Sequence, residues 1–252
     1  MGTGAITQYV DVAQIVLYMF WIFFAGLIYY LIREGHREGY PMDSGRENGP
    51  VITGWPMPEP KTYRLANGRE VQAPDFNRAD GSYQAQPVTG LSGAPLEPVG
   101  NPLTAGVGPG AWAARADEVD RTLHGEAKIV PLRRAPDHGV ASKDVDPRGM
   151  SVHDAQGQVA GKVHDLWVDR MEMMFRYLEV STSGGRQVLV PMTFARITRQ
   201  GITVHALLAE QFEGVPATRN PEEITLLEEE KITAYFGAGT LYATPERQEP
   251  LL

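Results

Sequence analysis

The sequence contains no cysteine and is short of positive charge, and both absences narrow the possible functions. Without a thiol the chain cannot form disulfides, zinc–thiolate centres, iron–sulfur clusters or a cysteine nucleophile. Lys and Arg total 23 against 31 Asp and Glu, which gives a formal net charge of −8. A nucleic-acid binder needs a basic face that neutralises phosphates, so this composition argues against one. The sequence also offers no serine–histidine–acid set, no H-E-x-x-H pair and no phosphate loop.

Charge is also missing from one long stretch near the start of the chain. Residues 12–32 form an apolar run of 21 residues in which Gln14 is the one strongly polar side chain. A helix of that length spans about 31 Å, the thickness of the hydrocarbon core of a bilayer. Residues 1–11 carry no Lys or Arg, whereas Arg33 and Arg37 follow the run. The sequence therefore predicts one transmembrane helix, with the N-terminus outside and the rest of the chain in the cytoplasm.

The next segment, residues 33–127, combines turn-forming residues with scattered aromatic side chains. Residues 41–110 alone hold 11 Pro and 11 Gly, a composition typical of linkers. Four aromatic residues are spaced along it like anchors: Trp55, Tyr63, Phe76 and Tyr83. A plain spacer does not need anchors, so we expect an extended segment that becomes ordered on a partner. Asn67-Gly68 predicts a hairpin that joins residues 61–65 to residues 69–72.

From about Lys128 the pattern changes to short β-prone runs between turn signals. The runs cover residues 150–153, 159–169, 175–182, 187–192, 195–198 and 202–206. Strands at this spacing predict a small antiparallel barrel or sandwich within residues 128–243. Asn220 and Pro221 then predict a helix over residues 221–236, with Asn220 as its N-cap. Residues 244–252 are expected to be loose.

The polar groupings of this domain are most simply explained as solvated side chains. They are the pairs His153-Asp154 and His164-Asp165, the loop residues His124 and Glu126, and the run Glu228–Glu230. None of them has the spacing of a strong metal site. From the residues alone, the chain is a single-pass membrane protein with a cytoplasmic β domain and no identifiable active site.

Several strings of residues, in order along almost the whole chain, resemble those of one known family. The resemblance begins with the anchor, FWIFFAGLIYYLIREGHREGYP, at Phe20–Pro41. It continues through shorter strings at Pro60–Thr62, Gly106–Pro109 and Lys128–Pro131. The strings at Val159–Arg170, Arg176–Val180 and Leu189–Met192 are similar to the PRC-barrel domain, and Glu223–Ala243 is similar to the C-terminal helix of the family. Together these strings resemble the H-subunit family of the purple-bacterial photosynthetic reaction centre.

The resemblance implies a non-catalytic, structural subunit of a light-driven electron-transfer complex in the bacterial inner membrane, with residues 1–11 in the periplasm. Such a subunit caps the cytoplasmic face of the L and M subunits, stabilises the quinone sites and helps to conduct protons to the secondary quinone. It holds no cofactor itself; bacteriochlorophyll, bacteriopheophytin, quinones and non-haem iron belong to the partner subunits. Contacts with a light-harvesting antenna, a cytochrome subunit and membrane lipids stay open. The alternative is a membrane-anchored PRC-barrel adaptor in another membrane complex.

The resemblance also implies roles for six residues. Glu172 and Asp169 match acids near the inner end of the proton route, and Arg176 and Lys128 match basic neighbours that tune them. His124 matches a histidine where protons enter from the surface, and Glu126 stands where the family has a second histidine. Because one imidazole ligand is missing there, we predict no metal site.

Overall fold

The computed structural model describes residues 4, 6, 11–42, 52–66, 68–77, 84–91 and 93–248. The chain divides into two compact units, one of residues 1–80 with 90–94 and one of residues 81–89 with 95–252. Predictions for Asn67, Tyr83 and residues 249–252 therefore fall outside the described residues. We describe each unit by itself.

The first unit begins with helix α1, Val12–Gly35, which is apolar and long enough to cross a membrane. Asp11 caps it, because its carboxylate accepts the backbone N–H of Gln14 at 2.7 Å. None of the helix residues is buried within the chain, as expected for a surface that faces lipid or other helices. The helix continues three residues beyond the predicted span of 12–32, through Arg33 and Glu34.

A short hairpin follows in the same unit. Strands β1, Lys61–Arg64, and β2, Glu70–Ala73, pair in antiparallel register, so the hairpin predicted from Asn67-Gly68 is present. Gly68 has a φ of +82°, a conformation that glycine adopts at little cost in such turns. The buried guanidinium of Arg37 donates to Glu34, to the carbonyl oxygen of Glu59 at 2.6 Å and to that of Ala73 at 3.1 Å. The end of α1 is thereby fastened to the hairpin.

The aromatic anchors predicted for the middle segment are exposed where the structure describes them. Trp55 is 82% exposed, and Tyr63 and Phe76 are also exposed. Side chains of this size left uncovered fit the prediction that this segment packs on a partner, which stays a prediction.

The described residues of the second unit form nine strands. Strands β3, Ala85–Pro87, and β4, Leu96–Pro98, form a separate antiparallel pair. The other seven strands form one sheet: β5, Ile129–Pro131; β6, Ser151–His153; β7, Val159–Asp169; β8, Met174–Thr182; β9, Gln187–Pro191; β10, Ala195–Ile197; and β11, Ile202–Val204. Their order is β10-β11-β6-β7-β8-β9, and β5 pairs with β7.

This sheet is a curled half-barrel, and the predicted small β domain is therefore present. Its pairs are antiparallel except for β11 with β6, which is parallel. The long strands β7 and β8 are nearly continuous runs of buried residues rather than alternating ones, because both faces of the sheet are partly covered. At Gly161 the two strands approach so closely that a Cβ atom would collide with the carbonyl oxygen of Ser181.

Helix α2, Leu226–Tyr242, supplies much of the remaining core. Its residues Ile232 and Phe236 are fully buried, and the ring of Phe236 packs against those of Phe194 and Phe212. Trp167, Leu166 and Leu178 are buried in the sheet. This cluster is one continuous core, the usual arrangement for a domain of this size.

The predicted bounds of this helix were wrong. It begins at Leu226 rather than at Pro221 and ends at Tyr242 rather than at Phe236, and its N-cap is Thr225 rather than Asn220. Thr225 Oγ1 accepts the N–H of Glu228 at 3.1 Å, and the carboxylate of Glu228 accepts the N–H of Thr225 at 2.9 Å. This reciprocal capping box outcompetes the Asn-Pro signal, and Asn220 instead forms an isolated bridge with Glu223.

Two predicted boundaries also change. The segment of residues 33–127 is not extended throughout, because residues 95–127 belong to the second unit and Leu103, Ala105 and Val107 are buried there. The prediction of a loose end from Thr244 is wrong for the described part: Pro245–Arg247 form a 3₁₀ turn, and Arg247 donates to the carbonyl oxygen of Gly239 at 2.8 Å. Residues 95–127 belong to the second unit because apolar side chains among them are buried there. The end of the chain from Thr244 is ordered because Arg247 binds a carbonyl oxygen near the C-terminal end of α2.

Candidate functional site

The turn between β7 and β8 presents Glu172 at one end of the sheet. Asp169, the last residue of β7, is 1% exposed, and its Oδ1 atom accepts the backbone N–H groups of Met171 and Glu172 at 3.0 Å each. Met173 has a φ of +55°, which is uncommon for a residue with a side chain. The buried carboxylate thus fixes the turn, while the Glu172 side chain stays 51% exposed.

The ammonium group of Lys128 lies among three carboxylates. Its Nζ atom is 3.4 Å from Asp169, 3.5 Å from Glu172 and 3.6 Å from Asp120. The backbone places it there, because the Arg170 N–H donates to the Lys128 carbonyl oxygen at 3.0 Å. Partial burial lowers the pKa of Lys128, but the carboxylates of Asp169, Asp120 and Glu172 outweigh it and raise the pKa above its usual value.

A second cation, Arg176, connects this group to helix α2. Its Nη1 atom lies 3.8 Å from Glu172 Oε2, and its Nη2 atom lies 3.8 Å from Glu229 Oε2. The hydroxyl of Tyr177 donates to the same Glu229 oxygen at 3.0 Å. We call these six residues the carboxylate cluster: Asp120, Lys128, Asp169, Glu172, Arg176 and Glu229.

The structure therefore brings together four of the six residues singled out from the sequence, namely Asp169, Glu172, Arg176 and Lys128. Sequence reasoning missed Asp120 and Glu229. For Asp120 the sequence offers no signal, since it lies in an irregular loop. For Glu229 a signal existed, because it lies three residues before Ile232 and seven before Phe236, on the buried face of the helix. The prediction that the run Glu228–Glu230 is solvated was wrong for Glu229, whose side chain is 12% exposed.

The other two residues, His124 and Glu126, lie apart from the cluster in a turn of residues 122–126. His124 is exposed, and Glu126 pairs with Arg170 at 3.0 Å. The same guanidinium donates to the carbonyl oxygen of Ala127, the residue before Lys128. Arg170 thus holds Glu126 beside the backbone that leads into Lys128, and the described residues include no group of acids and histidines that could hold a metal ion.

Glu126 and Arg170 line an open polar cleft of about 330 Å³, which Arg121, Arg134, Glu222 and Glu223 also line. A cleft of this size and polarity can hold several water molecules. Water in this cleft would contact the Glu126 carboxylate directly.

The two His-Asp pairs are not simply solvated, as the sequence suggested. His164 is exposed, but Asp154 and Asp165 are buried. Asp154 accepts the N–H groups of Gln156 and Gln158 at 2.8 Å each, and Asp165 pairs with Arg133 at 3.1 Å. Both aspartates hold turns and strands together, which is a structural role.

Chemically, the carboxylate cluster is suited to proton exchange. It combines four acids with two cations, and each cation touches more than one acid, so the charge on one acid affects the next. Because the cations are shared, a change of protonation at one carboxyl group alters the charge stabilisation of the next.

Two family models match the chain. Residues 4–134 match the model of the photosynthetic reaction centre H-chain N-terminal region, and residues 140–211 match the PRC-barrel domain. The first range contains α1, the hairpin, Asp120 and Lys128, and the second contains β6 to β11 with Asp169, Glu172 and Arg176. The first match alone covers just over half of the chain, and the two follow each other in order. The chain therefore belongs to the photosynthetic reaction centre H-chain family.

Proposed function

We propose that this chain covers the cytoplasmic face of the reaction-centre L and M subunits, stabilises the quinone sites and conducts protons toward the secondary quinone. Family membership supports a structural subunit associated with L and M. The observation that carries the proton-conducting role is the contact of Lys128 with both the buried Asp169 and the exposed Glu172. A route for protons needs acids that run from the surface into protein, and this pair provides that step.

The surroundings of Glu172 support docking against a protein partner. Three methionine side chains in this turn and at the start of β8 are exposed: Met171, Met173 and Met174. Methionine is flexible and polarizable, and it is common at adaptable binding surfaces. An apolar tip of this kind would place Glu172 against the partner and shield it from bulk water.

The water-facing end of the route is proposed at His124 and Glu126. Both residues are exposed, and Glu126 lies in the polar cleft, from which Arg170 leads toward Lys128. We assign no metal to this end.

The placement in the membrane follows the charges beside α1. Arg33 and Arg37 lie at its C-terminal end, and no Lys or Arg precedes it. We propose that residues 1–11 lie in the periplasm and the second unit in the cytoplasm of the bacterial inner membrane. The match to an H-chain N-terminal region counts against an adaptor of some other complex.

In this proposal the chain is not an enzyme and holds no pigment. Bacteriochlorophyll, bacteriopheophytin, quinones and iron belong to the partner subunits. Extraction of the complex through a tag on this chain, followed by a near-infrared absorption spectrum, checks this assignment. Bacteriochlorophyll bands that bleach on illumination are expected, and a colourless preparation with other proteins bound would contradict it.

The substitution Glu172→Gln tests the proton route. It keeps the size of the side chain but removes its ability to carry a proton, so transfer of the second electron to the secondary quinone should slow by about tenfold or more. Primary charge separation should be unchanged. Flash absorption kinetics on the whole complex measure both steps.

Glu210→Gln is the matched control, because Glu210 is an exposed carboxylate on another turn of the same unit. It should leave both rates unchanged. Equal second-electron rates in the Glu172→Gln variant and the parent complex would remove Glu172 from the route.

A further inference from the structure

Glu229 lies on the first turn of α2 and faces β8 instead of solvent. Its side chain is 12% exposed, although it belongs to a run of three glutamates. The hydroxyl of Tyr177, itself buried, donates to Glu229 Oε2 at 3.0 Å. Residue 229 also lies outside both ranges that match the family models.

Glu229 shares a cation with Glu172. The guanidinium of Arg176 lies between them, 3.8 Å from each carboxylate, through two different nitrogen atoms. When one carboxylate is neutral, the guanidinium is free to stabilise the charge of the other. The protonation of Glu229 and that of Glu172 are therefore coupled through one shared charge.

The groups around Glu229 come from three elements. Strand β8 contributes Arg176 and Tyr177, and the loop that precedes β5 contributes Arg115 and Asp120. On α2 itself, Glu230 pairs with Arg115 at 3.6 Å. Burial raises the pKa of Glu229 above its ordinary value, and Asp120 adds to the rise. Tyr177, Arg176 and Arg115 act in the opposite direction without cancelling it.

A second observation marks the cluster as a place for proton exchange. The Oδ2 atom of Asp169 is buried and has no hydrogen-bond partner among the described residues. The Lys128 ammonium lies 3.4 Å away, which is ion-pair distance. A buried carboxylate oxygen without a hydrogen bond is rare in folded proteins, and it has the capacity to accept one from a water molecule.

We propose that Glu229 is a further proton-exchanging carboxyl group of this cluster, coupled to Glu172 through the guanidinium of Arg176. The inference rests on the proposed function, since it requires that Glu172 gives up a proton toward the quinone. When Glu172 loses its proton, its new negative charge draws Arg176 toward it. The Glu229 carboxylate, then less well neutralised, binds a proton from water. One proton leaves the cluster inward and one enters from solvent, so its charge is restored.

The test uses the whole reaction-centre complex that contains the full chain. Three variants are compared with the parent: Glu229→Gln, Glu229→Asp and the control Glu230→Gln. Glu230 lies on the same turn and carries the same charge, but it pairs with Arg115 rather than with Arg176. The measurements are flash-induced proton uptake, the pH profile of second-electron transfer, and infrared difference spectra in the carboxylic-acid C=O region.

Glu229→Gln removes a negative charge beside Arg176 and thereby favours the ionised form of Glu172. The rate of second-electron transfer decreases as the pH rises, and this decrease should occur at a pH lower by about half a pH unit or more than in the parent complex. Proton uptake should decrease, and one carboxylic-acid band should disappear from the difference spectrum. Glu229→Asp should keep a carboxylic-acid band, and Glu230→Gln should reproduce the parent.

Other outcomes separate this inference from the proposed function. If Glu229→Gln matches the Glu230→Gln control in all three measurements while Glu172→Gln still slows the second electron, the inference is wrong and the proposed function stands. If Glu172→Gln has no effect either, both fail.

Tyr177→Phe provides a second variant in case Glu229→Gln does not assemble. Removing the hydroxyl takes a hydrogen-bond donor away from Glu229 and favours its protonated form. The pH at which the Glu229 band disappears should rise. A band that titrates at the same pH as in the parent, or no band at all, would overturn the inference.

Discussion

Arg133 forms ion pairs with two carboxylates that lie far from it in the sequence. Its Nη1 atom lies 2.7 Å from Glu179 and 3.1 Å from Asp165, and both carboxylates are buried. The indole N–H of Trp167 also donates to Glu179, at 2.8 Å. Burial lowers the pKa of Arg133, but Glu179 and Asp165 outweigh it and raise the pKa. One guanidinium thus neutralises two carboxylates that the fold has taken from water.

Replacing Arg133 by Met should destabilise the second unit by about 2–3 kcal/mol, because it leaves two buried carboxylates without a counter-charge. The deficit should shrink as the pH falls, since protonation removes the unpaired charges. Urea unfolding of the detergent-solubilised chain, followed by tryptophan fluorescence at several pH values, measures this.

Arg134→Met is the control at the neighbouring position. Arg134 is well exposed and pairs with Glu222 at 3.3 Å, so its loss should cost less than about 1 kcal/mol. Equal effects of the two substitutions would show that the Asp165–Glu179 pair does not depend on Arg133.

Among the elements, helix α2 shows why boundaries are hard to read from a sequence. Asn220-Pro221-Glu222-Glu223 has the residue types of a helix start, and so does Thr225 with Glu228 three residues later. The second signal is the real one. Thr225 also has a contact that the sequence does not reveal. Its hydroxyl donates to Oδ1 of Asp117, a residue far away in the chain, at 2.8 Å.

The two competing caps can be distinguished by substitution. Thr225→Ala removes the capping bond and the bond to Asp117, so it should lower the free energy of unfolding by about 1–2 kcal/mol. Asn220→Ala should change it by no more than about 0.5 kcal/mol, as is usual for exposed positions. Both values follow from the urea concentrations at the midpoints of unfolding, provided that the slope of the free energy against urea concentration is the same in all variants. A larger loss at Asn220 than at Thr225 would contradict the cap assignment.

At the scale of the whole molecule, the chain is an apolar helix joined to a domain with its own core. The residues of that core lie between Leu103 and Ala238, all in the second unit. The helix contributes no buried residue. Stability of the domain should therefore depend little on the anchor, because burial of apolar surface is what stabilises a domain of this size.

Removal of residues 1–33 should leave a soluble, folded β domain. Far-UV circular dichroism should show mainly β structure, and gel filtration without detergent should give a discrete peak. The full chain, which keeps the apolar helix, should need detergent to give such a peak. An aggregated or unfolded product would show that the core depends on the partner subunits.

Much of the candidate site was accessible before the structure, but by resemblance rather than by physics. The strings around Asp169, Glu172, Arg176 and Lys128 matched a family, and the structure places these four side chains together. Composition and spacing alone identified none of them. The two further acids were missed because Asp120 and Glu229 are brought to the cluster from distant parts of the chain by packing.

Features that depend on local composition and periodicity were predictable without the structure. These are the long uncharged helix, the hairpin at Asn67-Gly68, the main strands β7 to β9 and the absence of thiol chemistry. The tertiary structure decided where α2 starts, which carboxylates are buried, and which acids share Lys128 and Arg176. The physical reason is that burial, charge pairing and cap selection depend on neighbours far apart in the sequence, and only the folded chain brings those neighbours into contact.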